Sequence, residues 1–253
     1  MYTILFNQKF FAGKTEELLE IIGNILQSSE TKVLGAVNVF LITESYKDSA
    51  LKSFYTDICD IVTVDGRPLV YLSRVKRLSS TPIYEMTGGP GLWTEILNFG
   101  SRKGYPFFFI GSNDEILENA KRRLILEFPE LKIVGTQNGY FEIGPDEIES
   151  LIEQIRISAP KIIFLGMSSP KKEIIAKILK SRLEGAFIVL IGGAFDYFAG
   201  SKKLAPKIFS YLCLEWVYRL LQEPRRLFFR YVKSSISIVK IILKEFFFAK
   251  RRV

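Results

Sequence analysis

An apolar run passes through a small-residue turn into a helical pattern in the stretch Ile162-Ile163-Phe164-Leu165-Gly166-Met167-Ser168-Ser169-Pro170-Lys171-Lys172-Glu173. The run is short enough for a buried strand, and Pro170 suits the first turn of a helix, whose pattern continues to Arg182. Small residues in the turn let an anionic ligand approach backbone amides and the positive end of a helix. Taken alone, the same unit is also an ordinary strand-to-helix turn.

The alternation of strand and helix extends over most of the chain. The strands that we predict are Val33–Ile42, Ile58–Val64, Phe107–Ile110, Leu131–Val134, Ile162–Leu165 and Phe187–Ile191. The helices that we predict are Thr15–Leu26, Leu69–Leu78, Leu92–Arg102, Asp114–Phe128, Glu147–Ile157 and Lys171–Arg182. This rhythm predicts an α/β domain over residues 1–200, with a Rossmann-like, mainly parallel sheet and helices on both faces.

The positive charge is concentrated in residues 201–253. This segment holds 13 Lys or Arg and 3 Glu, a net charge of +10, whereas the whole chain is +8, so that residues 1–200 carry −2. Pro206 can open a helix that runs to about Leu221, and Pro224 breaks it before a second helix. In the second helix one face is basic and the large apolar residues lie off it. The basic face comprises Arg226, Arg230, Lys233, Lys240 and Lys244, and the apolar residues are Phe229, Val232, Ile236, Val239 and Phe246. We therefore predict a helical, basic and amphipathic appendage that lies on an anionic membrane surface or binds a phosphate ligand.

Composition excludes several kinds of chemistry. The chain has no histidine, which excludes a histidine base, a histidine metal ligand and a Ser-His-Asp triad. Because neither an Asp-x-Asp pair nor a Cys-x-x-Cys motif occurs, we expect no metal and no cofactor. Two cysteines in apolar surroundings favour a reduced cytosolic setting. No leader pattern is present and no apolar run approaches the roughly 18 residues of a spanning helix, so we expect any membrane contact to be peripheral.

Asp65 ends the second predicted strand just before Gly66. Because parallel sheets bind ligands at the carboxyl ends of their strands, this carboxylate is placed to take a proton from an acceptor hydroxyl. Aspartate is also a preferred N-cap, and a helix that begins after Pro68 offers that role. Asn38, near the end of the first predicted strand, is open to the same two interpretations.

Other strand ends carry turn residues that are open to two interpretations as well. After Gly192, Asp196 can accept hydrogen bonds from a sugar hydroxyl or cap a helix. Lys171 or Lys172 can add positive charge next to a bound phosphate. Residues 87–91, Thr-Gly-Gly-Pro-Gly, resemble a mobile loop, and no Gly-x-Gly-x-x-Gly motif occurs where a dinucleotide-binding turn requires it.

The least ordinary string is Leu214-Glu215-Trp216-Val217-Tyr218-Arg219-Leu220-Leu221-Gln222-Glu223-Pro224-Arg225-Arg226-Leu227. Arginine forks match phosphate oxygens and stay charged at any relevant pH. The arginines between residues 219 and 230 can therefore neutralise a leaving diphosphate without a metal. A solvated basic helix surface would show the same string.

Taken together, these strings resemble the WecG/TagA/CpsF family of glycosyltransferases, glycosyltransferase family twenty-six. Its members move a sugar from a nucleotide diphosphate to a lipid-linked acceptor in bacterial polysaccharide assembly. The most specific matches are Phe195-Asp196, Ala199-Gly200, Ala205-Pro206, Leu214-Glu215-Trp216, Tyr218-Arg219-Leu220 and Glu223-Pro224-Arg225-Arg226. Asp65-Gly66, the string from Ile133 to Phe141, and Pro170 with Glu173 also fit, so that the resemblance extends from about Val33 to about Tyr231.

The resemblance implies a role for each matching residue. Asp65 is the implied catalytic base of an inverting transfer from a UDP-sugar to a polyprenyl-diphosphate-linked sugar. From the resemblance and the strand-end positions together, the substrate-binding residues that we predict are Asn38, Gly66, Gly111, Gly166, Pro170, Lys172, Glu173, Gly192, Asp196, Arg219, Arg225, Arg226 and Arg230. The family also implies a cytoplasmic enzyme that is peripherally bound to the inner face of the plasma membrane through its appendage, residues 201–253.

Four positions depart from the family pattern, and we interpret them as the mark of a different donor sugar. They are Ala36, Ser168, Lys172 and Leu204. A basic nucleic-acid-binding protein competes with the transferase, given the pI of about 9.3. We expect no nucleic-acid partner, because the basic residues sit beside Ile and Phe runs that suit lipid better. An oxidoreductase, which the missing glycine motif disfavours, and a non-catalytic relative of the transferase are two further hypotheses.

Overall fold

The computed structural model describes residues 1–206, 208–209 and 214–248, with the side chains of Arg226 and Phe248 excepted. Its strands are β1 (Tyr2–Leu5), β2 (Gln8–Phe11), β3 (Lys32–Val37), β4 (Ile61–Val64), β5 (Pro106–Gly111), β6 (Lys132–Gln137), β7 (Ile162–Gly166) and β8 (Phe187–Leu190). Its helices are α1 (Thr15–Ile25), α2 (Val39–Ser45), α3 (Ser49–Ser53), α4 (Arg67–Ser73), α5 (Gly89–Arg102), α6 (Asp114–Glu127), α7 (Pro145–Ser158), α8 (Lys171–Arg182), α9 (Ala194–Phe198), α10 (Glu215–Gln222) and α11 (Pro224–Phe248), with a π-helical turn at Phe54–Ile58.

The central sheet has 6 strands in the order β4-β3-β8-β7-β5-β6, and all of its pairs are parallel. One face packs against α2, α4, α7, α8 and α11, and the other against α1, α5, α6 and α9. The predicted Rossmann-like sheet with helices on both faces is confirmed. All 6 predicted strands belong to this sheet.

The middle strands form because their residues are apolar on both sides. Every residue of β7 and β8 is buried, as is expected for a parallel sheet that is covered twice. Phe109 stacks on Phe164 with ring centres 5.7 Å apart and lies 5.2 Å from Phe195 of α9. These rings fix the carboxyl ends of β5 and β7 against the helix that follows β8.

Several elements differ from the sequence-based predictions. The predicted strand Val33–Ile42 ends at Val37, because Asn38 caps α2 by accepting a hydrogen bond from the Leu41 backbone N–H at 3.0 Å. The second predicted strand begins at Ile61 rather than Ile58, because the π-helical turn occupies the residues before it.

Other differences lie near the amino terminus and around α4 and α5. The predicted helix Leu69–Leu78 is the shorter α4, Arg67–Ser73. The antiparallel β1–β2 hairpin was not predicted from the sequence; Phe6 and Asn7 form its turn with positive φ angles of 55° and 59°. The predicted loop 87–91 is partly helical, since α5 begins at Gly89.

The C-terminal helices separate at Glu223, as Pro224 predicts. The predicted helix from Pro206 to Leu221 lies partly outside the described residues, and α10 is its described part. Four described residues of α11 are buried, namely Leu227, Ser234, Ile238 and Ile241, and the two isoleucines belong to the core cluster of the domain. Near the end of α11, Glu245 accepts hydrogen bonds from Asn7 Nδ2 at 2.9 Å and from the Tyr46 hydroxyl at 2.8 Å. The helix is therefore docked on the α/β domain along its length.

The basic residues that were predicted to share one face of α11 lie within one arc of the helix, and Arg230 is at the docked edge of that arc. Arg230 lies over the Phe40 ring of α2 at 3.8 Å, so it belongs to the docked side, whereas Lys233, Lys240 and Lys244 are exposed. Phe246, predicted off the basic face, lies beneath Arg77 at 4.6 Å. Among the helices of the described residues, none combines the length and the apolar content that crossing a bilayer demands.

Candidate active site

The carboxyl edge of the sheet contains a topological switch between β3 and β8. These neighbouring strands are followed by α2 and α9, which pack on opposite faces. Such a switch opens a crevice at which α/β sheets bind ligands. Asn38 follows β3, Asp65 follows β4 and Gly192 follows β8 within two residues. The topology thus brings three predicted site residues to adjacent strand ends.

Asp65 lies beside Asn38 because β3 and β4 are paired in parallel, with Val37 opposite Val64. The Asp65 backbone N–H donates to the Val37 carbonyl at 2.9 Å, and Asn38 Nδ2 donates to Asp65 Oδ2 at 3.4 Å. The helix-cap interpretation of Asp65 is wrong, since the N-cap of α4 is Gly66, with φ of 113°. Asp65 is a half-buried carboxylate that the fold holds without using it as a cap.

Arg219 of α10 interacts electrostatically with this carboxylate. Burial lowers the pKa of the Arg219 guanidinium, but the charge of Asp65, followed by Tyr197 and Tyr231, outweighs burial, so the pKa is raised. The guanidinium also lies 5.7 Å from the centre of the Tyr197 ring. The C-terminal segment therefore places a permanent positive charge within electrostatic range of the candidate base.

A buried polar cluster lies at the end of β7. Glu173 is 3% exposed, and its Oε1 accepts from the Tyr55 hydroxyl at 2.8 Å and from Ser169 Oγ at 2.7 Å. Lys172 Nζ forms an ion pair with the same oxygen at 2.7 Å and donates to Ser169. Burial and Glu173 raise the pKa of Tyr55 well above its usual value. Sequence reasoning missed Tyr55, which lies in a turn without a recognisable motif.

Lys172 and Arg230 are positively charged neighbours in this cluster. Burial lowers the pKa of Lys172, Glu173 raises it, and Arg230 lowers it further, with a net lowering. Arg230, on the docked side of α11, is thus within electrostatic range of Lys172. Arg225 is exposed in the first turn of the same helix, and the side chain of Arg226 lies outside the described residues.

The predicted glycines have two different roles. A Cβ at Gly111 would meet the Gly166 carbonyl oxygen at 2.1 Å, and one at Gly166 would meet the Phe195 ring at 2.4 Å. These two glycines are therefore required for close packing inside the protein. At Gly192, with φ of 57°, a Cβ would have no neighbouring atom within 4 Å, so the space beside it is open.

Asp196 lies inside α9, and its Oδ2 pairs with Lys202 Nζ at 2.8 Å. The same lysine pairs with Glu223 at 3.1 Å. Burial lowers the pKa of Lys202, but hydrogen bonds to Asp196 and Glu223 outweigh burial and raise it. Lys202, which the sequence did not single out, ties α9 to the junction of the two C-terminal helices.

Pro170 is the N-cap residue of α8, and Lys171 begins the helix. The Lys171 ammonium donates to the carbonyls of Gly139, at 2.9 Å, and Phe141. It therefore fixes the segment that follows β6.

Two surface depressions lie away from Asp65. They have volumes of about 410 and 330 Å³ and are lined by residues of α1 and α5 and of the β6–α7 region. Within the described residues, no group of three or more Cys, Asp or Glu side chains stands together in a way that fits a metal ion. The strand-end residues beneath α10 and α11 are thus the candidate active site.

The family model of the glycosyl transferase WecG/TagA/CpsF family matches residues 3–252. The match covers essentially the whole chain, and the chain belongs to this family. It is accordingly a glycosyltransferase of cell-surface polysaccharide synthesis. The predicted resemblance is confirmed, and family membership favours the transferase over the nucleic-acid-binding and oxidoreductase hypotheses.

Proposed function

We propose, with this family membership as the premise, that the protein is an inverting glycosyltransferase with a UDP-sugar donor and a polyprenyl-diphosphate-linked sugar acceptor. The observation that carries the proposal is the Asp65 carboxylate, with Asn38 Nδ2 at 3.4 Å and the charge of Arg219 close by. A general base next to a permanent cation at a strand-end crevice suits the transfer of a sugar away from a diphosphate.

In the proposed reaction, Asp65 takes the proton of an acceptor hydroxyl. The electron pair left on the acceptor oxygen forms the new bond to the anomeric carbon, and the bond from that carbon to the UDP oxygen breaks on the opposite side. UDP leaves with the bonding pair, so the configuration at the anomeric carbon inverts. Arg219 and Arg230 stabilise the negative charge that develops on the diphosphate, as preorganised charges do. We propose that Arg225 and Arg226, at the start of α11, also stabilise the charge on the diphosphate, so that no metal ion is needed.

The remaining predicted residues form the donor side of the proposed site. Gly192 leaves open space beside β8, and Asp196, Gly66 and the Gly111–Gly166 contact shape the neighbouring strand ends. Lys172 is held by Glu173 and Ser169, so it shapes the pocket floor rather than binding phosphate directly. Together with Ala36, Ser168 and Leu204, Lys172 departs from the family pattern, which supports a different donor sugar.

We further propose that the protein is cytoplasmic and that residues 201–253 form an appendage that binds the anionic inner face of the plasma membrane. Along its free side α11 exposes an apolar stripe that no described part of the domain covers. The stripe comprises Val232, Ile236, Val239, Leu243 and Phe247, which are 45–71% exposed. Lys233, Lys240 and Lys244 border it. Apolar residues flanked by lysines suit the boundary between headgroups and acyl chains.

The test is turnover of the purified full-length protein with a panel of UDP-sugars and a polyprenyl-diphosphate-linked sugar. We expect Asp65→Asn to lower kcat by a factor on the order of 10² to 10⁴ while UDP still raises the melting temperature. Asp57→Asn, on the exposed π-helical turn, is the control and should leave turnover unchanged. Near-normal turnover in Asp65→Asn would remove Asp65 as the base. If EDTA abolishes the activity and a divalent ion restores it, the proposal that the transfer needs no metal ion is wrong.

A further inference from the structure

The start of α5 presses against Asp65, although the two are separated by more than twenty residues of sequence. A Cβ at Gly88, the N-cap residue, would lie 2.5 Å from the Val64 carbonyl oxygen and 2.9 Å from Asp65 Cα. A Cβ at Gly89 would lie 2.9 Å from Asp65 Oδ1. Real Cβ atoms essentially never approach other atoms this closely, so a side chain at either position forces Asp65 or its strand to move.

The two oxygens of Asp65 therefore have different neighbours. Oδ1 lies next to Gly89, whereas Oδ2 accepts from Asn38 Nδ2 at 3.4 Å. Gly89 adopts φ of 68°, a conformation in which glycine has no steric cost, and this conformation lets the backbone turn into the helix at this point.

The backbone that confines Asp65 is rigid. Trp93, Ile96 and Leu97 of α5 are buried in the core on the side opposite to α2, so the helix cannot retreat without disturbing that core. Thr87, immediately before the N-cap, is 1% exposed. The helix start therefore leaves room for the Asp65 carboxylate only while positions 88 and 89 carry no Cβ.

We propose that Gly89, supported by Gly88, is a positioning residue that sets the place of the Asp65 carboxylate for proton transfer. This inference rests on the proposed role of Asp65 as the base. A general base must lie within hydrogen-bond reach of the proton that it takes, and a displacement of about 1 Å costs on the order of 10²-fold in rate. Glycine at this position is thus a requirement of the reaction in addition to a requirement of the turn.

The test compares Gly89→Ala with two matched glycine variants. Gly104 has φ of 69°, and a Cβ there would meet only Lys132 Nζ at an ordinary 3.5 Å, so Gly104→Ala reports the cost of the backbone conformation alone. Gly91, in the first turn of α5, has nothing within 4 Å, so Gly91→Ala reports the cost of a methyl group there. We expect comparable falls in melting temperature for Gly89→Ala and Gly104→Ala.

Turnover should separate these variants. We expect kcat of Gly89→Ala to fall by about 10- to 100-fold, with KM for the donor changed by less than about twofold, because the base is displaced and the donor is not. Gly104→Ala and Gly91→Ala should retain kcat. In an Asp65→Asn background, Gly89→Ala should cause no further loss, because it acts through that carboxylate.

Each outcome decides between the two proposals. If Asp65→Asn remains active, the proposed base is wrong. If Asp65→Asn is inactive while Gly89→Ala keeps the kcat of Gly104→Ala, the base stands and the positioning role is refuted. Should Gly89→Ala fail to fold, Gly89→Asn replaces it, since asparagine tolerates positive φ and still carries the Cβ that meets Asp65. Full kcat in Gly89→Asn would likewise refute the role.

Discussion

The two sides of α11 should respond to mutation in opposite ways. Ile238 and Ile241 are each 8% exposed and pack into the core cluster. Ile→Ala costs about 2–5 kcal/mol, and these near-surface sites lie at the lower end, so the double variant loses about 4 kcal/mol of docking free energy. Because 1.4 kcal/mol is a factor of about ten, amide exchange in α11 should accelerate by nearly 10³-fold. Turnover of the double variant should also fall, since Arg230 lies on the same docked side of α11 and loses its position when the helix undocks.

The matched variant changes the exposed side of the same helix. Val239 and Leu243 are 53% and 51% exposed, so Val239→Ala with Leu243→Ala should change stability by less than about 0.5 kcal/mol. Lipid would bury the exposed half of the methyl groups that are removed, worth about 2 kcal/mol at ~0.8 kcal/mol per fully buried CH₂. Binding to anionic vesicles in sedimentation should then weaken roughly 30-fold. Equal vesicle binding by both double variants, or unchanged exchange in the first, would refute this division of the helix.

Two further substitutions test the contacts around the site. Tyr55→Phe removes one hydrogen bond from the buried Glu173, and we expect urea unfolding to show a loss of about 1–3 kcal/mol. Full stability in that variant would mean that Ser169 and Lys172 satisfy the carboxylate alone. Lys202→Met breaks two ion pairs that are partly exposed, so we expect no more than about 1 kcal/mol per pair. The pKa of Lys202 is raised in the folded protein, so its ion pairs stabilise the fold below the ordinary lysine pKa of about 10.4, and this stabilisation is lost at higher pH. The difference in unfolding free energy between wild type and Lys202→Met should therefore become smaller at higher pH. A difference that is constant with pH would contradict the ion-pair explanation.

The sheet was predictable because its strands are short apolar runs between amphipathic helices. That signal requires no knowledge of tertiary contacts. It fails where an apolar run continues from a strand into a helix, as it does after Val37, since periodicity alone does not mark the change. The Asn38 cap was the available signal, and the cap and the contact to Asp65 use different atoms of one side chain.

Pairings between distant segments were beyond sequence reasoning. The strand ends left Asp65 and Asn38 open between a cap and a site role, and the family resemblance implied the site role. Strand order was needed to show that the two residues are neighbours. Nothing in the string around Arg219 indicates that Asp65 lies within its electrostatic range. The glycines show the same limit: Gly166 was predicted to leave room for a ligand, yet the Phe195 ring occupies that room.

The arrangement of α11 lets membrane binding and site closure occur together, if the proposed function holds. The helix advances 100° per residue, so the docked residues Leu227, Ile238 and Ile241 lie on one side and the stripe centred on Val239 and Leu243 lies on another. If α11 had only one apolar side, that side could pack on the domain or on lipid but not on both. Lipid binding would then withdraw Arg230 from the donor. With two apolar sides, lipid can cover the stripe while the docked side keeps Arg230 over Phe40. The protein can therefore keep its diphosphate-binding charges in place at the surface where a polyprenyl-linked acceptor resides.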